Sequence, residues 1–315
     1  MFRMLAHDVM GEIATYLGDF RRARSHMEDG IALYDPARHR SLALRYAGYD
    51  LGMACRAIGA HALWFMGYPD QALQWSQRAI TLARDLAHLP TLVFALAHAG
   101  VLHYHRREPG VTARLAEEAL ALSMDHGLDF WKAFAGIVWG WSQVHQGRGF
   151  EIVEQMRRGL AAYRVTAGDL ESPLWLAMIA DAYRTVGAPD DALSAVREAL
   201  KLVNTMDIRF EEAELHRLRG EVLLAKGDDP AEAESAFRRA LEVAAAQEAR
   251  ALELRAAASL VRLCRAGGKP EELARRRLAE VYEWFTEGLE TADLREAHGL
   301  LEPPVDREGL ARDAG

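Results

Sequence analysis

The chain has 315 residues, of which 50% are hydrophobic and 27% are charged, so it can bury a continuous core. Its net charge of −8 excludes a general electrostatic attraction to nucleic acid or to an anionic membrane. It has no apolar run of 18 residues, no signal-peptide pattern at Met1, and only Cys55 and Cys264 as cysteines. We therefore expect two reduced thiols in a soluble protein of the cytoplasm.

Small residues recur at a fixed interval along the chain. One set lies on the first helix of successive predicted hairpins: Gly11, Ala60, Gly100, Gly140, Ala180 and Gly220. A second set lies on the second helix: Gly30, Ala79, Ala119, Gly159, Ala199 and Ala240. After a first step of 49 residues, every step is 40 or 41 residues. Because a glycine inside a helix costs roughly 1 kcal/mol relative to alanine, such positions indicate close approach of another helix.

The breaks between the two helices of each hairpin repeat as well. A glycine follows the first helix in six hairpins, where a left-handed C-cap needs no Cβ: Gly18, Gly67, Gly147, Gly187, Gly227 and Gly267. Arg107 takes that place in the third hairpin. A proline then opens the second helix in five of them: Pro69, Pro109, Pro189, Pro230 and Pro270.

These signals predict an all-α fold, a right-handed α-solenoid of about seven tetratricopeptide-like hairpins that spans residues 1–301. The expected hairpins are 1–34, 50–86, 90–125, 130–166, 171–205, 209–246 and 250–285. The stretch Tyr34–Asp50 accounts for the longer first step, and we expect a turn followed by an extension of the next helix. Residues 291–301 are expected to form a capping helix with Thr291 as N-cap, and residues 302–315 a disordered tail.

No motif in the sequence predicts catalysis. The segment Gly267–Pro270 has the wrong glycine spacing for a phosphate-binding loop. His103 and His105 are two residues apart on a predicted helix and therefore point to different sides. We expect no catalytic residue, no cofactor and no metal site, and we interpret the basic run Arg275–Arg277 among glutamates as a solvated helix face.

The first helices of such an array line its concave side. Counting one, four and five residues from each repeated small residue selects the groove candidates: Tyr16, His61, Trp64, Phe65, Tyr104, His105, Trp141, His145, Asp181 and Arg184. Aromatic side chains with polar tips suit recognition of a peptide or of another domain. The alternative is that the superhelix closes and buries some of these residues as core.

Four stretches carry a resemblance to a known family: ALYDPARHRSLALRYAGYD (Ala32–Asp50), ALWFMGYPDQAL (Ala62–Leu73), AELHRLRGEVLLA (Ala213–Ala225) and VYEWFTEGLETADLREAHGLL (Val281–Leu301). The chain resembles the C-terminal repeat region of bacterial class III adenylate/guanylate cyclase proteins that carry an AAA- or STAND-type ATPase module. Related repeats occur in regulators similar to the maltose-operon activator, where they act as the sensor. The resemblance covers the chain to about Leu301, and the family's catalytic residues lie in domains outside it.

The resemblance implies a non-catalytic sensor and protein-interaction scaffold that regulates a signalling ATPase or cyclase. Its partner would be a protein or peptide, including an ATPase or cyclase module in cis, without nucleic acid or membrane. A second copy of the chain is a further candidate partner, because no capping helix precedes the first apolar helix. The alternative function is a free-standing adaptor that binds a protein or peptide in its concave groove.

Overall fold

The computed structural model describes residues 2–42, 48–268 and 270–302, with the side chains of residues 40–42 excepted. Within these ranges the chain forms sixteen α-helices and no β-strand. The helices are α1 (Phe2–Tyr16), α2 (Phe20–Ala32), α3 (Pro36–Leu42), α4 (Leu51–Phe65), α5 (Pro69–Leu86), α6 (Leu89–His105), α7 (Pro109–Asp125), α8 (Asp129–Val144), α9 (Phe150–Ala167), α10 (Ser172–Thr185), α11 (Pro189–Met206), α12 (Glu212–Lys226), α13 (Pro230–Ala246), α14 (Arg250–Ala266), α15 (Glu272–Tyr282) and α16 (Ala292–Leu301).

Helices that follow each other in the chain pack as pairs. The pairs are α1–α2, α4–α5, α6–α7, α8–α9, α10–α11, α12–α13 and α14–α15, and α16 packs on α14 and α15. The first helices of neighbouring pairs also contact each other: α4 packs against α6, and α6 packs against α8. This all-helical arrangement agrees with the expected helical-repeat architecture.

The repeated glycines lie where two helices approach closely. At Gly220 on α12, an added Cβ would overlap the ring of Phe237 on α13. Phe237 is completely buried, so its ring cannot move aside. At Gly30 and Gly100 the nearest side chains belong to the next pair, so the period found in the sequence reflects packing both within and between pairs.

The breaks follow the expected chemistry with two differences. Gly18, Gly67, Gly147, Gly187 and Gly227 all have positive φ, as predicted for left-handed caps. In the third hairpin Arg107 itself adopts this conformation, with φ of 59°. In the last hairpin the prediction for Gly267 is wrong, because its φ is −87° and Gly268 takes the left-handed position instead. Pro270 likewise does not open α15, which begins at Glu272.

The insertion after the first pair forms a helix of its own. The sequence predicted an extension of the next helix, but α3 covers Pro36–Leu42 and α4 begins separately at Leu51. Asp50 ends the insertion by accepting a hydrogen bond from Met53 N, at 2.8 Å, as the N-cap of α4. Residues 43–47 and the tail predicted to be disordered, from residue 303 onward, lie outside the described residues.

The two ends of the array meet. The backbone N–H of Arg209, before α12, donates to the carbonyl oxygen of Tyr16 on α1, at 2.6 Å. The N-terminus of α5 receives the Glu287 carboxylate, which accepts from the backbone N–H of Asp70 at 3.0 Å and of Gln71 at 3.1 Å. Helices α4 and α14 are also in contact. Because an open solenoid makes contacts only between neighbouring repeats, these long-range contacts show that the superhelix closes.

Candidate functional site

Closure of the array divides the ten groove candidates into two groups. Six of them are buried, and these are His61, Trp64, Phe65, Tyr104, His105 and Trp141. Tyr16 is partly buried, and its hydroxyl donates to Glu12 at 3.0 Å and to Glu171 at 3.4 Å. The expectation that these residues form an open aromatic groove is wrong, because the closed array buries them. The alternative of a closed superhelix describes this half of the inner surface.

The buried aromatic residues form a packed core, and one arginine lies against it. The His105 ring stacks on Trp64 with centroids 4.6 Å apart, and the Arg255 guanidinium lies 4.9 Å from the same indole. Burial lowers the pKa of His61 to about 4 and holds the pKa of His105 well below its ordinary value. Both imidazoles are therefore neutral near pH 7 and act as packing groups.

A small cavity lies inside this core. Its volume is about 40 Å³, and Tyr16, His61 and Glu171 are among its lining residues. The Nδ1 atom of His61 has no hydrogen-bond partner within the described part of the chain. Such a volume fits water-sized groups and excludes a peptide side chain. This cavity is therefore not the recognition site expected from the sequence.

Trp141 and the remaining three candidates, His145, Asp181 and Arg184, line a second and much larger cavity. Its volume is about 660 Å³, within the range of small-molecule sites. Helices α6, α8, α10, α12 and α14 form its wall together with α16. Tyr104 reaches this wall from the core. The structure thus places five of the ten groove candidates in the wall of this cavity, where Tyr104 and Trp141 are themselves almost completely buried.

Asp181 organises the α8–α10 side of this charged cavity. Its carboxylate accepts from Trp141 Nε1 at 2.9 Å, from His145 Nε2 at 2.8 Å and from Arg184 Nη2 at 2.8 Å. Burial alone would raise the pKa of Asp181, but the His145 hydrogen bond and the Arg184 charge outweigh it. The pKa is consequently held well below its ordinary value, and Asp181 stays ionised.

The opposite side of the charged cavity is an ion-pair network that joins distant helices. Arg255 on α14 pairs with Asp293 on α16 at 2.8 Å and donates to the backbone carbonyl of His105 on α6. Arg107, which follows α6, pairs with Asp293 at 3.1 Å and with Glu296 at 2.6 Å. These contacts hold α16 across the ends of α6 and α14, so the network lies on the seam where the array closes.

The charges of the lining are balanced. It contains five arginines, Arg107, Arg184, Arg217, Arg255 and Arg262, and five carboxylates, Asp181, Glu214, Glu221, Asp293 and Glu296. A charged group of a ligand, whether positive or negative, can therefore replace one member of an ion pair in the lining. The arrangement suits recognition of a polar ligand that carries both charges, such as a peptide segment with acidic and basic side chains.

Sequence reasoning missed most of the α12 and α14 contribution. Glu214, Arg217 and Glu221 on α12 line the cavity at spacings of three and four residues. Arg255 and Arg262 on α14 are seven residues apart, which is two helical turns. Of these five residues the small-residue period selects only Glu221, one position after Gly220, because the next mark falls on Leu260. Charged residues at i, i+3 and i+7 in a largely apolar helix were the available signal.

Comparison with known proteins adds one relative of unknown role. No protein-family model matches the chain. The chain is 26% identical over 249 residues to an uncharacterised protein of Rhizobium meliloti (strain 1021). The match covers 78% of this chain and 24% of that relative, so the chain spans about a quarter of the relative's length. None of the described helices is both long and apolar enough to cross a membrane.

Proposed function

We propose that the chain is a non-catalytic sensor and interaction region whose charged cavity binds a peptide segment bearing both charges. The observation that carries the proposal is the position of the cavity on the seam between the two ends of the array. In this proposal the repeats are tetratricopeptide-like and wind in a right-handed sense.

Binding would act through exchange of ion-pair partners. Arg107 and Arg255 both pair with Asp293 on α16. A carboxylate of the ligand would compete with Asp293 for these guanidinium groups, and a basic side chain would compete with them for Asp293. Because the pairs hold α16 across α6 and α14, the ligand binds differently to the closed and to an opened array. Such differential affinity is what allows a ligand to shift a conformational equilibrium.

The regulated module would belong to the same protein. The family resemblance suggests a signalling ATPase or adenylate/guanylate cyclase of the cytoplasm, and the much longer relative supports a place within a larger chain. Helix α1 and the residue that follows it also present an exposed apolar stripe of Val9, Ile13 and Leu17. This stripe supports docking of a neighbouring domain or of a second copy on the first hairpin.

A peptide-binding experiment tests the proposal. The chain would be applied to an array of short acidic, basic, mixed-charge and uncharged peptides, and binders would be measured again in solution by fluorescence anisotropy. We expect mixed-charge peptides to bind, and Arg184→Ala with Arg262→Ala to weaken binding more than about tenfold. The matched control is Arg238→Ala with Arg276→Ala, because these arginines are exposed outside the cavity.

The proposal would be abandoned if no mixed-charge peptide bound, or if both double variants bound equally well. The adaptor alternative is favoured if a peptide binds while its addition leaves hydrogen exchange at the α6–α16 seam unchanged. We expect neither ATP hydrolysis nor nucleotide cyclisation by the isolated chain, and either activity would contradict a purely regulatory role.

A further inference from the structure

The first hairpin brings together three metal-ligating side chains that are far from the charged cavity. His7 lies on α1, while His26 and Asp29 lie three residues apart on α2 and therefore on one face of that helix. Packing of α1 against α2 places the three ligand atoms, two imidazole nitrogens and one carboxylate oxygen, within 4.8 Å of one another. No repeat position predicted this group, because it uses side chains outside the small-residue register.

The distances match a shared metal ion. The Nδ1 atoms of His7 and His26 are 3.2 Å apart, and Nδ1 of His7 is 3.6 Å from Oδ2 of Asp29. Zn²⁺ binds imidazole nitrogen at about 2.0–2.1 Å, so two ligands on a tetrahedral ion lie about 3.3 Å apart. The two imidazole nitrogens therefore need almost no movement, and the exposed Asp29 carboxylate can adjust to the ion.

We propose that His7, His26 and Asp29 form a binding site for a divalent transition-metal ion of the zinc class. Two imidazoles and one carboxylate favour Zn²⁺, Co²⁺ or Ni²⁺ over Mg²⁺ and Ca²⁺, which prefer all-oxygen ligands. The His7 side chain is 22% exposed and that of Asp29 is 60% exposed, so the ion can enter and exchange. The three protein ligands leave one tetrahedral position for water or for a side chain of a partner.

The same atoms have a metal-free alternative. One imidazole Nδ1 can carry a proton and donate it to the other across 3.2 Å, with Asp29 as a neighbouring acceptor. Once this proton has moved to Nε2 of the same ring, both Nδ1 atoms can bind a metal ion, which connects α1 directly to α2. Binding would therefore stabilise the first hairpin, and with it the Tyr16 contact that closes the array, by mass action.

The test is a Zn²⁺ titration of the untagged, EDTA-treated and desalted chain by calorimetry near pH 7. We expect one ion per chain. His7→Ala and His26→Ala should each weaken the site by at least about tenfold, and Asp29→Asn should weaken it less because the ligand is exposed. His126→Ala is the matched control, since His126 is an exposed histidine of another hairpin.

Co²⁺ provides a second readout that reports the ligand type. Tetrahedral Co²⁺ absorption without a thiolate-to-cobalt charge-transfer band is expected, because neither cysteine belongs to the site. Circular dichroism of the His7→Ala/His26→Ala double variant establishes that it is folded. Equal Zn²⁺ affinity for this folded variant and the wild type overturns the proposal, and so does a wild-type chain that binds no Zn²⁺. A thiolate charge-transfer band would also overturn it by assigning the ion to Cys55 or Cys264.

Discussion

Replacement of Glu171 by glutamine tests how the ends of the array are held together. Glu171 precedes α10, and its carboxylate accepts from Tyr163 at 2.6 Å and from Tyr16 of the first hairpin at 3.4 Å. Burial is the main reason that the pKa of Glu171 rises from 4.5 to about 7, and the nearby Glu12 adds to the rise. The closed array therefore favours the neutral acid, which glutamine imitates in shape and charge.

The size of the effect follows from this pKa. An acid with a pKa that is higher in the folded state stabilises the fold below its unfolded pKa of 4.5. That contribution is lost as the pH rises through about 7. The difference of about 2.5 units, at 1.36 kcal/mol per unit, corresponds to about 3 kcal/mol. Glu171→Gln removes this pH dependence. The free energy of unfolding of the variant, relative to that of the wild type, should therefore increase by about 3 kcal/mol between pH 4.5 and pH 8.

Urea denaturation followed by circular dichroism at several pH values measures the difference in unfolding free energy. Glu198→Gln is an informative control, because pairing with Arg157 and Arg164 lowers the pKa of Glu198 against the effect of its burial. Its carboxylate stabilises the fold above the unfolded pKa, and this is lost as the pH falls, so the control should change in the opposite direction. A pH-independent difference between Glu171→Gln and the wild type would refute the reasoning.

Two further substitutions examine packing and the seam. Gly220→Ala should destabilise the chain by about 1–3 kcal/mol, because the new methyl group overlaps the buried Phe237 ring and this outweighs the better helix propensity. Gly136→Ala on α8 is its control, since nothing lies within 4 Å of the added Cβ and a small gain is expected; equal effects would contradict the packing argument. Arg255→Met should lower the free energy of unfolding by about 3 kcal/mol, because the largely buried Asp293 carboxylate loses one of its arginine partners. The exposed Arg238→Met should lower it by under about 1 kcal/mol, and urea denaturation measures both values. A loss at Arg255 no larger than at Arg238 would show that the seam does not depend on this ion pair.

The pair structure was accessible from sequence because it depends on local contacts. Gly220 is small because the Phe237 ring, 17 positions away, packs against it, and Gly11 and Gly140 meet the second helix of their own pairs in the same way. The glycine and proline breaks are similarly local, since each satisfies the backbone of one helix end. Their failure at Gly267 and Pro270 is a shift of one or two residues within the correct connection.

Closure of the superhelix could not be predicted from local sequence patterns. It depends on the small rotation between successive pairs, which accumulates along the array and leaves no periodic residue behind. The pairing of Arg209 with Tyr16 joins positions 193 residues apart and involves only backbone atoms. The sequence therefore placed the aromatic candidates on the correct helices and helix faces, whereas their exposure depends on hairpins that are distant in the chain. The charged cavity has the same origin, because Arg107, Arg255 and Asp293 meet only after closure.

The meeting of the two ends also limits how this protein can change its length. In an open repeat array, one hairpin can be duplicated or deleted, and the neighbours simply stack on the new surface. Here, loss of the α8–α9 pair would shift Tyr16 away from Arg209 and Glu287 away from the N-terminus of α5. Closure of the array therefore requires a fixed number of hairpins, just as closure of a β-barrel requires a fixed number of strands. The one insertion in the described array, α3, lies outside the repeating unit, between the first two pairs.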